Sequence, residues 1–314
     1  MDETGPRRSS GNPVVTSTPR LPYATPAAFR RALTDRLRAI AAPHGSWPLP
    51  DLQRQFAYDR LLTRLYLLDD AWILKGATAM LARRIAVRHT VDIDIYRATH
   101  REEAEHDLRR ALALDAGDWF RFEAGPARPV ADAATGLRIP VVADLGATTW
   151  ARFHIDIVGE GVRMTGTPEH VPALTAIAIP GLGQSGYRAY PLIDHIADKT
   201  CAIIERQGSV QRPSTRFKDL VDLVSLIAHV RTTGIAQGDA LASEAARRRI
   251  TLPARFDVPD VALWEPGYAA EARRAVVPTA RRLADALAKV RPYLDPLLEG
   301  TVAGSWDPDH GRWR

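Results

Sequence analysis

Strict alternation of apolar and polar positions marks a strand over residues 91–96. Val91, Ile93 and Ile95 point to one face, and Asp92 and Asp94 to the other. The pattern recurs over 153–158, where Phe153, Ile155 and Ile157 share one face and His154 and Asp156 the opposite one. Residues 71–74 read as a short strand, and Gly76 opens a helix. Two or three strands are expected between Trp119 and Val158, with turns at Gly125-Pro126 and around Gly136, and another strand over 174–179. Helices are predicted on both sides of this region. Thr25-Pro26 reads as an N-cap and N1 proline opening a helix to about Ala42. Asp51 reads as the cap of a second helix carrying Phe56, Leu61, Leu62 and Leu65. Residues 102–114 form a third.

From Tyr190 onward the period is helical. Ile196, Thr200, Ile203 and Ile204 share one face; Leu220, Leu223, Val224 and Ile227 form a stripe; a last long helix is expected over about 279–298. The order predicts an α/β (α+β) bilobed chain: a disordered tail over 1–22, a lobe with a mixed sheet flanked by helices over 23–186, a mainly helical lobe over 187–300 that completes a cleft, and a tail over 301–314. The soft boundary falls at 181–186.

Composition adds limits. The chain has 314 residues, 46% hydrophobic and 25% charged, enough for a sizeable core. No stretch is apolar for long enough to span a bilayer, and the N-terminus has no apolar run of export-signal length, so a cytoplasmic protein without a membrane partner is expected. One cysteine, Cys201, excludes an internal disulfide and a cysteine-based zinc site. The net charge of +5 permits a polyanionic partner. Only four lysines occur (Lys75, Lys199, Lys218 and Lys289) in a chain otherwise supplied with arginine. Lysine is a compact, rotatable point charge, which arginine cannot imitate. Three of the four lie in the segments that carry candidate chemistry.

Asp92 and Asp94, one strand repeat apart, converge on a small volume. Two carboxylates so placed suit a hard divalent cation together with phosphate oxygens. Alone, the pair reads more readily as the solvated face of an amphipathic strand. Asp156 offers a third carboxylate from a neighbouring strand. Lys75-Gly76-Ala77 makes a strand-to-helix turn where glycine lets backbone approach a ligand. Lys199 borders an apolar helix face, and Asp219 and Asp222 lie on one side of theirs. Residues 181–186 match G-x-G-x-x-G, but Pro191 interrupts early helix growth and no second βαβ unit follows, so a flexible inter-lobe loop is expected in place of a dinucleotide site.

Taken in order, Lys75-Gly76-Ala77, then Arg88, Thr90, Asp92 and Asp94, then Lys199, then Arg216, Lys218, Asp219 and Asp222 resemble the AbiEii/AbiGii toxins, the MenT toxins among them, in the DNA-polymerase-β nucleotidyltransferase superfamily. The match covers about residues 70–225. Ala77 departs from it, standing where the family has Gly or Ser. The resemblance implies a polymerase-β-type lobe and a toxin of a toxin–antitoxin system. It also implies Mg²⁺ (or Mn²⁺) held by Asp92, Asp94 and Asp156, and Asp92, Asp94, Lys199 and Asp219 as catalytic residues, with Asp156 and Asp222 as additional candidates. Nucleotide contacts would come from Lys75, Gly76, Ala77, Arg88, Thr90, Lys199 and Arg216. The reaction implied is transfer of NMP from an NTP, CTP or GTP foremost, to the 3′ end of tRNA, which blocks aminoacylation and translation. A cognate antitoxin, phosphorylation at Thr90 and a monomer are further expectations. Arg83-Arg84 and residues 247–249 are candidate RNA contacts or ordinary helix faces. The competing readings are a nucleotidyltransferase acting on a small molecule of the antibiotic kind or on a protein, and a non-catalytic RNA-binding module with the same fold.

Overall fold

The computed structural model describes residues 21–130, 136–159, 161–162, 164–175, 177–277 and 280–314. The tail expected over 1–22 lies outside the described residues except for its last two, and of these Leu21 is buried in the core.

The chain opens with α1 (Pro26–Ile40). Thr25 caps it by accepting from the Ala28 N–H at 3.2 Å, and Phe29, Leu33 and Leu37 form its buried stripe. Next is α2 (Leu49–Leu68), which begins earlier than expected: Pro48 holds the cap position, so Asp51 lies in the first turn. Much of α2 is buried, charged residues included. Arg60 and Arg64 close on the buried Asp118 at 2.7 and 2.6 Å. Burial alone would raise the Asp118 pKa, but the two guanidiniums outweigh it and hold the carboxyl below its usual value.

The remaining elements of the first lobe are β1 (Ile73–Lys75), α3 (Gly76–Ala82), β2 (Asp92–Tyr96), α4 (Arg101–Leu112), β3 (Phe120–Ala124), β4 (Arg128–Pro129), β5 (Gly136–Leu145), β6 (Thr148–Val158), β7 (Glu169–Val171) and β8 (Tyr187–Ala189). The strands form one mixed sheet of order β3-β5-β6-β2-β1-β8-β7, with β4 beside β5. β2 runs parallel to β6, and β1 parallel to β8. Ile93, Ile95, Phe153, Ile155 and Ile157 all face the core packed with α2 and α4, as their alternation requires. The opposite face carries the polar set.

Three expectations about this lobe change. Among the described residues, four strands, not two or three, lie between Trp119 and Val158. Residues 174–179 form no strand among the described residues; their backbone is tied to α2, where Asp59 accepts from the Leu174 N–H at 3.1 Å. The glycine loop at 181–186 is fastened as well. Arg60 donates to the Gly183 carbonyl at 2.8 Å and Gln184 to Asp59 at 3.2 Å. With no strand before it among the described residues and its Gly183 carbonyl held by Arg60, it is a strap over α2 and not a flexible linker.

The second lobe is helical: α5 (Leu192–Ile204), α6 (Phe217–Ile227), α7 (Gly234–Arg248), α8 (Val261–Arg273) and α9 (Leu283–Leu298). The last helix starts later than expected, and residue 279 lies outside the described residues. Residues 301–314 are not a free tail. β9 (Trp306–Asp307) and β10 (Arg312–Trp313) pair antiparallel, and Trp306 and Trp313 pack on Tyr293 with ring centroids 4.9 and 5.0 Å away. The Trp306 indole N–H donates to the Ile227 carbonyl at the end of α6. No described helix is long and apolar enough to cross a membrane.

The lobes meet along the segment before β2. Met80 and Val87 belong to the core of the helical lobe. The Val87 carbonyl accepts from the Val276 N–H at 2.8 Å, the Ser225 hydroxyl donates to the Ile85 carbonyl at 2.5 Å, and Arg88 grips Asp222 through two bonds of 2.9 and 2.7 Å.

Candidate active site

A cleft of about 820 Å³ lies between the sheet's polar face and the helical lobe. Asp92 and Asp94 form its floor. Its walls include Lys75 and Gly76 on one side and Lys199, Lys218 and Asp219 on the other. Strand pairing sets the floor. Asp94 stands level with Asp156 across the parallel β2–β6 pair and with Lys75 across β1; Asp92 stands level with His154.

Burial raises the Asp94 pKa to about 6, and the neighbouring carboxylates Asp156 and Asp92 push the same way. Lys199 and Lys75 pull it down, but by less. Gly76 explains how Asp94 packs. Its φ is +58°, and a Cβ there would lie 1.8 Å from the Asp94 carboxylate oxygen. Only glycine combines that backbone conformation with that approach. Gly76→Ala is therefore expected to displace the Asp94 carboxylate and to lower transfer activity by roughly 10²-fold, the usual cost of misplacing a reacting group by about 1 Å. Steady-state transfer rates with a matched circular dichroism spectrum would check it.

Arg138 on β5 was not anticipated. Its guanidinium binds both Asp156 oxygens at 2.7 and 2.6 Å and lies 3.7 Å from Asp92. The bond to Asp156 raises the Arg138 pKa further above its usual value. No sequence signal marks Arg138, because only the β5–β6 register brings it level with Asp156.

This bears on the metal. Among the described residues, no group of three His, Cys, Asp or Glu side chains is arranged to hold an ion. Asp156, expected as a third ligand, is engaged by Arg138. Asp92 and Asp94 remain as two hard oxygen donors whose charge Arg138, Lys75 and Lys199 offset only in part. That fits Mg²⁺ arriving with nucleotide phosphates, since this ion commonly takes one or two carboxylates and completes its shell from phosphate and water. It does not fit a preformed cage.

The opposite wall is an ion cluster. Lys199 Nζ lies 2.7 Å from Asp219 and 2.8 Å from the fully buried Asp222. Burial pulls the Lys199 pKa down, but the two carboxylates outweigh it and the net shift is upward. Burial pushes Asp222 up, but Lys199 and Arg88 hold it below its usual value. Asp219 and Asp222 do share one side of α6, as their spacing requires. Lys218 points elsewhere; it is exposed in the cleft and pairs with nothing among the described residues. Lys75 is 3.3 Å from Asp198 and sits 3.9 Å over the Tyr190 ring. The Thr90 hydroxyl bonds the backbone of Asp92, donating to its carbonyl at 3.1 Å and accepting from its N–H at 3.2 Å. Arg216 lines the cleft mouth. His195, also at the cleft, is buried; burial and nearby cations push its pKa well down, and its Nε2 has no partner among the described residues.

The family model for the nucleotidyl transferase AbiEii toxin of type IV toxin–antitoxin systems matches residues 60–302, which span both walls of this cleft. The chain belongs to the AbiEii nucleotidyltransferase toxin family. As an AbiEii protein it is a nucleotidyltransferase and the toxin component of such a system, with a cognate antitoxin. Similar solved structures include two at low identity. MenT4, a nucleotidyltransferase toxin from Mycobacterium tuberculosis H37Rv, is 16% identical at a TM-score of 0.49, the match covering 86% of this chain and 98% of that one. JHP933 from Helicobacter pylori is 14% identical at a TM-score of 0.42, covering 80% and 89%. No curated protein matches the AbiEii chain.

Proposed function

We propose that this AbiEii toxin works in the cytoplasm, transferring a nucleoside monophosphate from an NTP to the 3′ end of tRNA and so blocking aminoacylation. The observation that carries the reading is the cleft itself. Two adjacent carboxylates lie on its floor, and its walls carry more basic than acidic side chains, as a polyanionic nucleotide requires. Mg²⁺ (or Mn²⁺), when bound at Asp92 and Asp94, supplies charge neutralisation on the triphosphate and activation of the attacking hydroxyl.

The protein's own residues do the rest. Lys218, free in the cleft, meets the outgoing pyrophosphate. Lys199, fixed by Asp219 and Asp222, presents a localised positive charge that needs no reorganisation when phosphate arrives. Gly76 lets backbone approach the nucleotide beside Asp94, with Ala77 offering its N–H but no hydroxyl. The acceptor hydroxyl gives its proton to solvent as its oxygen bonds to the α-phosphorus and pyrophosphate leaves, while Asp156, level with Asp94, fixes Arg138 beside Asp92. Thr90 suits regulation: a phosphate on its hydroxyl, beside Asp92, would add negative charge where the nucleotide must bind.

The test is incubation with Mg²⁺, total tRNA and each α-labelled NTP in turn, with Asp92→Ala as control. Label moving onto tRNA with the wild type alone, from CTP or GTP foremost, is the expected result. Nucleotide binding without labelled RNA would transfer the assignment to a small-molecule or protein acceptor. No nucleotide binding would leave a non-catalytic module.

A further inference from the structure

The polar face of the sheet continues beyond the cleft. Three cross-strand rows follow one another along it, each two residues and about 6.6 Å from the next. The first is Arg138–Asp156–Asp94, the second Pro140–His154–Asp92, and the third Val142–Arg152, with Glu123 level with Val142 on β3. The second and third rows floor a separate groove of about 540 Å³. Its surface is mostly apolar, from Pro140, Val142, Ala124 and Val91, and Val91 is 47% exposed. It joins the cleft at one point: Val91 lines both, and His154, at the groove's inner end, has its Nδ1 3.4 Å from an Asp92 oxygen. Arg152 is exposed in the groove and pairs with nothing among the described residues.

We propose that this groove seats the single-stranded end of a polynucleotide acceptor, with its terminal base on the Pro140–Val142–Val91 surface and a backbone phosphate on Arg152. The inference rests on the transfer reaction proposed above. A transfer needs two substrates that meet at Asp92 and Asp94. The cleft approaches these carboxylates from the β1 and helical side, and the groove from the β6–β5 side. A flat apolar floor accepts the π-face of any base, and an unpaired guanidinium at its edge accepts a phosphate. A protein segment would find the same apolar floor, but the groove's inner end at His154, beside Asp92, and the free Arg152 favour an acceptor strand. Glu123 closes the far end, away from Asp92.

The experiment measures binding of a labelled single-stranded RNA oligonucleotide by fluorescence anisotropy, beside NTP binding, for the full chain, Arg152→Glu and Val142→Asp. Both variants should weaken RNA binding roughly tenfold or more, and Arg152→Glu should lower the slope of log affinity against log salt by about 0.7, one phosphate contact on a single strand. NTP affinity should stay within about twofold, because neither residue lines the cleft. RNA affinity unchanged in both variants overturns the proposal, as does a wild type that binds no RNA. Loss of antitoxin binding with RNA affinity intact also overturns it and reassigns the groove to a protein. RNA binding that depends on the groove, in a protein that transfers nothing to RNA, upholds the groove and defeats the transfer reading instead.

Discussion

Asp94→Asn should abolish nucleotidyl transfer, by roughly 10³-fold or more, while making the metal-free protein more stable at neutral pH. The first half follows from losing one of two hard donors at the cleft floor. The second follows from the raised pKa. In the folded protein Asp94 titrates at about 6, against an ordinary value of 3.8. The ionised form is thus disfavoured by folding, and the wild type carries that cost at any pH above about 6. The cost shrinks as pH falls from about 6 towards 3.8 and vanishes below, where the group is protonated in both states. Asparagine removes the charge. A gain on the order of 1–3 kcal/mol is expected at neutral pH, allowing for the cleft's access to solvent. Thermal melts in chelator across pH would show the gap closing in acid, and Mg²⁺ should stabilise the wild type more than the variant. Identical melts at every pH would contradict the account of Asp94.

Lys199→Met should be the more damaging change to the fold. It leaves the fully buried Asp222 with Arg88 alone and strips Asp219 of its counter-ion. Breaking one partner of a buried ion cluster costs about 3–5 kcal/mol. The sign with pH is opposite to that of Asp94. Asp222 has a lowered pKa, so its contribution is present above the ordinary carboxylate range and lost as pH falls through the lowered value. The deficit of Lys199→Met should therefore be largest at neutral pH and shrink in acid. Adding Asp219→Asn should recover part of the stability, because the remaining Asp222–Arg88 pair is balanced. It should recover no transfer activity if Lys199 also acts on phosphate. Denaturant unfolding of the single and double variants separates the two roles.

The floor of the site was legible because a strand's alternation is local. Asp92, Asp94 and Asp156 had to share a face once 91–96 and 153–158 were strands. Lys199, Asp219 and Asp222 were legible by helical spacing, although spacing alone allowed a pair between Lys218 and Asp222. The structure gives Asp222 to Lys199 and Arg88 instead, because the stripe beside it turns that face of α6 inward. What stayed hidden was long-range register. Arg138 meets Asp156 only through β5–β6 pairing, and Arg88 meets Asp222 across 134 residues. The strand expected at 174–179 failed for a related reason. Leu174, Ile177 and Ile179 face the core, yet the Leu174 N–H goes to α2, and nothing local announces that Asp59 waits there. Trp306 and Trp313 gave no periodic signal because a hairpin of two-residue strands is too short to have one.

The stitching behind the cleft, from Ile85 to Arg88, has a consequence for the timing of catalysis. Many transferases assemble their site by swinging one lobe onto the other after substrate arrives. Here the two walls share backbone hydrogen bonds, core side chains and a two-bonded ion pair, so they are tied together at the back. The ordering that a closing hinge would charge to each turnover has already been met in folding. Nucleotide capture by a standing surface, at a speed set by diffusion and by the field of the basic walls, is then the expected behaviour.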